Sequence, residues 1–111
     1  MIDALVGHLV GDYLLQNDWM ALNKKASSFH CAVHCAVWTG SVCLFSGRCD
    51  WWLVLALFVS HFIQDRTTII SRYMGAIGQA SFRDGICAPW SSIVVDNVWH
   101  ILTLWLLFKV Q

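Results

Sequence analysis

The chain has 111 residues, of which 58% are hydrophobic and only 13% charged, with a mean hydropathy of +0.58. Soluble domains carry about 25% charged residues, so the composition argues against water as the solvent for the outside of this one. Seven Lys and Arg balance seven Asp, there is no Glu, and the net charge of zero leaves no basic footprint for a nucleic acid.

The length allows a single domain, residues 1–111. A first helix is expected over residues 2–22, with Gly7 and Gly11 spaced for close helix packing. Its first 20 residues carry Asp3, His8, Asp12, Gln16 and Asp18 and lack a basic start, so they read as part of the domain and not as a cleavable signal. A polar break over residues 23–26 follows. The second helix starts at Ser27 or Ser28, either of which can cap it, and ends near Phe45 before Ser46-Gly47-Arg48-Cys49. Asp50 is the expected N-cap of a third helix over residues 51–73. Residues 75–88 form the longest irregular stretch, and Pro89 with Ser91 and Ser92 opens a fourth helix that ends near Lys109.

These segments predict an all-α fold, a four-helix antiparallel transmembrane bundle with a polar site inside the membrane. Each helix is close to the roughly 20 residues that cross a hydrocarbon core. Trp19 and Trp90 fall near one set of helix ends and Trp51 and Trp52 near the other, as interfacial belts do. Short connections make consecutive helices antiparallel, which puts Lys24, Lys25, Arg66, Arg72 and Arg83 on one side and Arg48 and Lys109 on the other. The basic side is expected to be cytoplasmic, with both termini outside.

All five histidines fall in i, i+4 pairs with another His or an Asp: His8/Asp12, His30/His34, His61/Asp65 and Asp96/His100. Residues four apart share a helix face, so each helix presents two ligands, and in the up-down arrangement the four pairs lie at one level near the basic side. An Asp at the bilayer centre costs about 2.5–3.5 kcal/mol, and a divalent cation would compensate for three of them. His with carboxylate suits zinc first, with manganese or iron as alternatives. Eight ligands exceed the needs of one tetrahedral ion, so either two ions are held or some of the eight orient the rest, as Gln16, Gln64 and Asn97 on the same faces are expected to do. Cys31, Cys35 and Cys43 read as small apolar residues, although the i, i+4 spacing of Cys31 and Cys35 also permits a metal pair.

The run His8-Leu9-Val10-Gly11-Asp12, with Gln16, Asp18, Trp19, Met20, Ala21, Asn23 and Lys24, resembles the opening of an uncharacterised family of small phage and bacterial membrane proteins. His34, His61, Asp65, Asp96 and His100 continue that likeness over nearly the whole chain. The resemblance implies an integral protein of the bacterial inner membrane, in some cases phage-encoded, and supplies no activity. The His/Asp pattern is also similar to that of predicted membrane-bound metal-dependent hydrolases.

The expected function is metal-dependent hydrolysis of a phosphate ester or lipid headgroup at the cytoplasmic face. One of Asp12, Asp65 or Asp96 would be the general base, and Arg66, Arg72 and Arg83 would lie on the substrate's side. The alternative is a non-enzymatic metal- or ion-binding or transport module. Three aspartates make a poor lining for a porphyrin, which disfavours haem. Membrane lipid and a phosphate-bearing substrate are the expected partners, and a homo-oligomer is left open.

Overall fold

A computed structural model describes residues 1–110, whose regular secondary structure is all helical, with no strand among them. The helices are α1 (Ile2–Leu9), α2 (Asp18–Asn23), α3 (Ser28–Ser46), α4 (Trp51–Arg66), α5 (Ile69–Ala76), α6 (Ala80–Asp84) and α7 (Trp90–Lys109), and a π-helical turn, Val10–Leu14, continues α1. Of the four long helices expected, two are unbroken.

Specific hydrogen bonds mark where the others break. The helix expected over residues 2–22 stops after the π turn because Asn17 caps a new one: its side chain accepts the Met20 N–H at 3.0 Å, the standard use of Asn at this position. The helix expected over residues 51–73 bends by 67° between α4 and α5. Thr67 is extended there, and the ammonium of Lys25 donates to the carbonyls of Asp65 (2.8 Å) and Thr67 (3.2 Å), satisfying acceptors that a continuing helix would have used. The stretch 75–88 is not wholly irregular, since it contains α6, which the guanidinium of Arg83 ties to the Ser71 carbonyl of α5 at 2.8 Å. Ser27 caps α3 through the His30 N–H, and Gly47, at φ 69°, ends it. Asp50 does precede α4, but its carboxylate makes no cap bond and pairs with Arg48 at 2.9 Å.

Four elements close a ring, α1 with its π turn packing on α3, α3 on α4, α4 on α7, and α7 back on α1. Inner stripes at i, i+4 spacing run apolar to polar along each: Ala4-His8-Asp12, Val42-Trp38-His34, Leu53-Leu57-His61-Asp65 and Leu104-His100-Asp96. The apolar ends meet in one core of Ala4, Trp38, Val42, Cys43, Leu53, Leu57 and Leu104, and the polar ends meet beside the starts of α3 and α7. This double match, apolar with apolar and polar with polar, fixes the expected alternation of direction around the ring.

Both early glycines serve the α1–α3 contact. A Cβ on Gly7 would lie 2.8 Å from Ser41 O and Val42 Cα, and one on Gly11 would lie 2.9 Å from Trp38 Cδ1. The backbones approach closely enough for the Ser41 hydroxyl to donate to the Gly7 carbonyl at 2.8 Å.

The outside of the ring is apolar. Leu55, Val59 and Ile63 form an exposed stripe on α4, Val94, Val98 and Leu102 one on α7, and Ile2, Val6 and Leu9 are exposed on α1. Helices α3 and α7 are each long and apolar enough to cross a membrane, and α4 with α5 would make a third, bent, span. The Ile2–Leu14 segment, at about 1.5 Å per residue, is shorter than the roughly 30 Å core it was expected to cross.

Candidate metal centre

Four side chains, one from each element of the ring's first three walls and a second from α4, bring one donor atom each to a common point. They are Asp12 Oδ1 from the π turn, His34 Nε2 from the second turn of α3, and His61 Nε2 and Asp65 Oδ2 from the end of α4. His34 Nε2 lies 3.0 Å from His61 Nε2, 3.1 Å from Asp12 Oδ1 and 3.0 Å from Asp65 Oδ2. His61 Nε2 lies 3.3 Å from Asp12 Oδ1 and 3.2 Å from Asp65 Oδ2. A tetrahedron with bonds of about 2.0 Å has edges of about 3.3 Å, the geometry of zinc with nitrogen and oxygen ligands.

Hydrogen bonding alone does not account for this packing. An imidazole nitrogen carries at most one hydrogen, yet His34 Nε2 has three electronegative neighbours within 3.1 Å. Asp12 Oδ1 accepts no hydrogen bond although two ring nitrogens face it. All of this is deeply buried, with His34 0% and Asp65 1% exposed, where unpaired polar atoms are costly. A divalent cation at the common point would give Asp12 Oδ1 a partner and hold His34 Nε2, His61 Nε2 and Asp65 Oδ2, the last of which also takes the Lys24 ammonium, so the donor set fits the ion expected from the sequence.

The remaining candidates fall around these four. His100 spans the two carboxylates, with Nδ1 3.3 Å from Asp12 Oδ2 and Nε2 3.4 Å from Asp65 Oδ1, and Asp96 Oδ1 lies 3.6 Å from that Nε2. His8 is held in place by hydrogen bonds. The Trp38 indole N–H, which can only donate, reaches His8 Nδ1 at 3.0 Å, so the ring proton sits on Nε2 and goes to Asn97 Oδ1 at 2.7 Å. With both nitrogens in use, His8 backs Asp12, with Nδ1 3.4 Å from Asp12 Oδ2.

His30 is not brought to the cluster; it packs against Trp19 with ring centroids 4.1 Å apart. Gln16 touches Asp12 only through the backbone carbonyl (3.2 Å), and Gln64 turns away to Thr103 (2.8 Å). Cys31 and Cys35 lie 3.9 Å apart and buried, and among the described residues no metal-capable group includes them.

Two site residues were missed in the sequence. Trp38 stacks flat on His61, centroids 4.0 Å apart at 14°, besides fixing His8; its place four residues after His34 was the available signal. Lys24, read as a topology signal, reaches Asp65 Oδ2 at 2.8 Å. Burial works against its charge, but Asp65, with Asp12 and Asp96 beyond, more than offsets that, and the ammonium titrates above the usual lysine range. Arg66, one residue past Asp65, goes to Ser28 Oγ and the Lys25 carbonyl, holding the α3 start to the α4 end.

A cavity of about 460 Å³ opens beside the cluster, between α2, the α4–α5 bend and the start of α7. Asp12, Asp65 and Asp96 line its inner side, Lys24 and Lys25 a wall, and Tyr13, Ile70, Trp90 and Ile93 much of the rest. A buried cation held at its edge would face a chamber that is apolar, with two ammonium groups at hand.

No curated protein and no solved structure matches the sequence. A family model does, over residues 1–111, and its description is a protein of unknown function, DUF3307. That agrees with the expected membership of an uncharacterised family, and the chain therefore belongs to the DUF3307 family.

Proposed function

We propose that the chain is an integral membrane protein of the bacterial inner membrane that holds a divalent metal ion, zinc first, and hydrolyses a phosphate ester of the lipid-headgroup kind at the cytoplasmic face. The observation that carries this reading is the convergence of Asp12, His34, His61 and Asp65 on one point at the edge of a cavity lined by Lys24 and Lys25.

The membrane placement rests on the apolar outer stripes and on α3 and α7 as crossings. In this arrangement α4 and α5 make one crossing bent by 67°, and α1 enters partway, packed on α3 through its glycines. The ring of four then keeps the antiparallel order of a bundle, with the site near the basic end.

A metal ion supplies a Lewis acid that polarises a phosphoryl oxygen and lowers the pKa of a coordinated water. The chain's own residues do the rest. Lys24 and Lys25 lie where they can hold an anionic oxygen at the cavity wall, worth more in an apolar chamber than in water. Asp12 and Asp65 are committed to the buried cluster, which leaves Asp96, 29% exposed at its side chain and on the cavity wall, as the carboxylate able to accept a proton. Ile70, Ile93 and Trp90 suit the apolar part of an amphiphile.

A purely structural ion is the second reading, favoured by the four protein donors, which would fill a tetrahedral sphere. Turnover separates the two. Detergent-purified, zinc-loaded protein is expected to hydrolyse a chromogenic phosphodiester or a phospholipid headgroup, and Lys24→Met to lose most of that activity with its metal retained. Stoichiometric metal without turnover of any phosphate ester would leave the structural ion and end the hydrolase reading.

A further inference from the structure

The hydrogen bonding of His100 points to a second cation. Its Nδ1 lies 3.3 Å from Asp12 Oδ2, in hydrogen-bonding geometry. A buried carboxylate beside a cation is ionised and only accepts, so a ring hydrogen belongs on Nδ1, and in the neutral imidazole Nε2 then carries a lone pair. That lone pair faces Asp65 Oδ1 at 3.4 Å and Asp96 Oδ1 at 3.6 Å. A proton on Nε2 does not resolve the contact, because His100 Nε2 and Asp65 Oδ1 are both buried and neither has a hydrogen-bond partner. His100 is 3% and Asp65 1% exposed. Donor atoms from Asp65, Asp96 and His100 thus lie within 4.8 Å of one another, and the nearby Lys24 ammonium hydrogen-bonds the other Asp65 oxygen, Oδ2, at 2.8 Å.

We infer that Asp65, Asp96 and His100 hold a second divalent cation, with Asp65 bridging it to the ion held by Asp12, His34 and His61. This rests on the reading of that first ion. Asp65 is placed to bridge, since its Oδ2 belongs to the tetrahedron and its Oδ1 faces His100. Carboxylate-bridged ions in two-metal hydrolytic sites lie about 3.5–4 Å apart, and the Nδ1–H bond from His100 to Asp12 is the kind of support that orients a ligating imidazole. The two sites differ in openness. The first has four protein donors, whereas the second has three and borders the cavity through Asp65 and Asp96, so it keeps a free position toward the substrate. Asp96 would hold the ion through Oδ1 and retain its other oxygen to accept a proton.

The test is metal content per chain of full-length protein in detergent, stripped, reloaded with Zn²⁺ or Mn²⁺ and freed of excess, for wild type and Asp96→Asn. Helical circular dichroism confirms that the variant is folded. Two ions per wild-type chain falling to one in Asp96→Asn is the expected result, together with an exchange-coupled Mn²⁺ resonance signal that becomes that of an isolated ion. One ion in both proteins, or two in both, would overturn the second site while leaving the first standing. No ion in either would overturn the first site as well.

Discussion

Asp65 is where most of the site's demands meet: its carboxylate faces His34, His61 and His100 and takes the Lys24 ammonium. Its neighbours can be ranked by what they touch. His61→Ala removes a donor from the tetrahedron and is expected to weaken zinc affinity by at least 100-fold, whereas His30→Ala, whose ring lies on Trp19, should leave it within twofold; competition titration with a chromophoric chelator measures both. Trp38→Phe keeps a stacking ring but deletes the N–H that fixes His8, and should weaken affinity by about tenfold, toward the low end for residues that support ligands. Much of this was legible, because i, i+4 spacing on a helix is itself geometry: it paired His8 with Asp12 and His61 with Asp65 before any fold was known. Spacing does not say which nitrogen points where. The division between donors to the ion and His8, whose ring is spent on Trp38 and Asn97, depends on contacts between helices 30 and 89 residues apart in sequence.

At the scale of elements, the glycine contacts between α1 and α3 set the depth at which Asp12 meets His34. Gly7→Ala would drive a methyl group into Ser41 O and Val42 Cα and is expected to destabilise by about 1–3 kcal/mol, read from unfolding in detergent with SDS as denaturant. Gly40→Ala, with nothing within 4 Å of its Cβ, should be neutral or stabilise α3 by up to about 1 kcal/mol. An equal loss in both would contradict the close-packing account. Gly7 and Gly11 were readable as small residues one turn apart. The Asn17 cap was readable too, but the continuing apolar pattern of the first 22 residues concealed it. The π turn around Asp12 and the bend at Thr67 carried no comparable local signal. The bend is stabilised by Lys25, 40 residues earlier in the chain than Asp65, whose carbonyl it caps.

For the whole molecule, the proposed orientation would put the apolar core toward one membrane face and the polar cluster toward the cytoplasmic one. The exposed Cys49 and Cys87 lie at opposite ends of the ring, beside the start of α4 and the start of α7. A membrane-impermeant maleimide should therefore label Cys49 in intact spheroplasts and Cys87 only after permeabilisation, with Cys49→Ser and Cys87→Ser assigning the signal; the reverse pattern would invert the orientation. Composition foretold an apolar exterior, since so few charges leave little else to face outward, and the helical segments foretold the all-α fold. It could not show that the first segment stops short of a full crossing, because that depends on where a single Asn begins a new helix. The central claim is the metal ion, and metal content after zinc loading and gel filtration tests it most directly. The account predicts at least one tightly held ion per wild-type chain and less than a tenth of that in a folded His34→Ala/His61→Ala variant. Equal content in the two proteins, or none in the wild type, would contradict it.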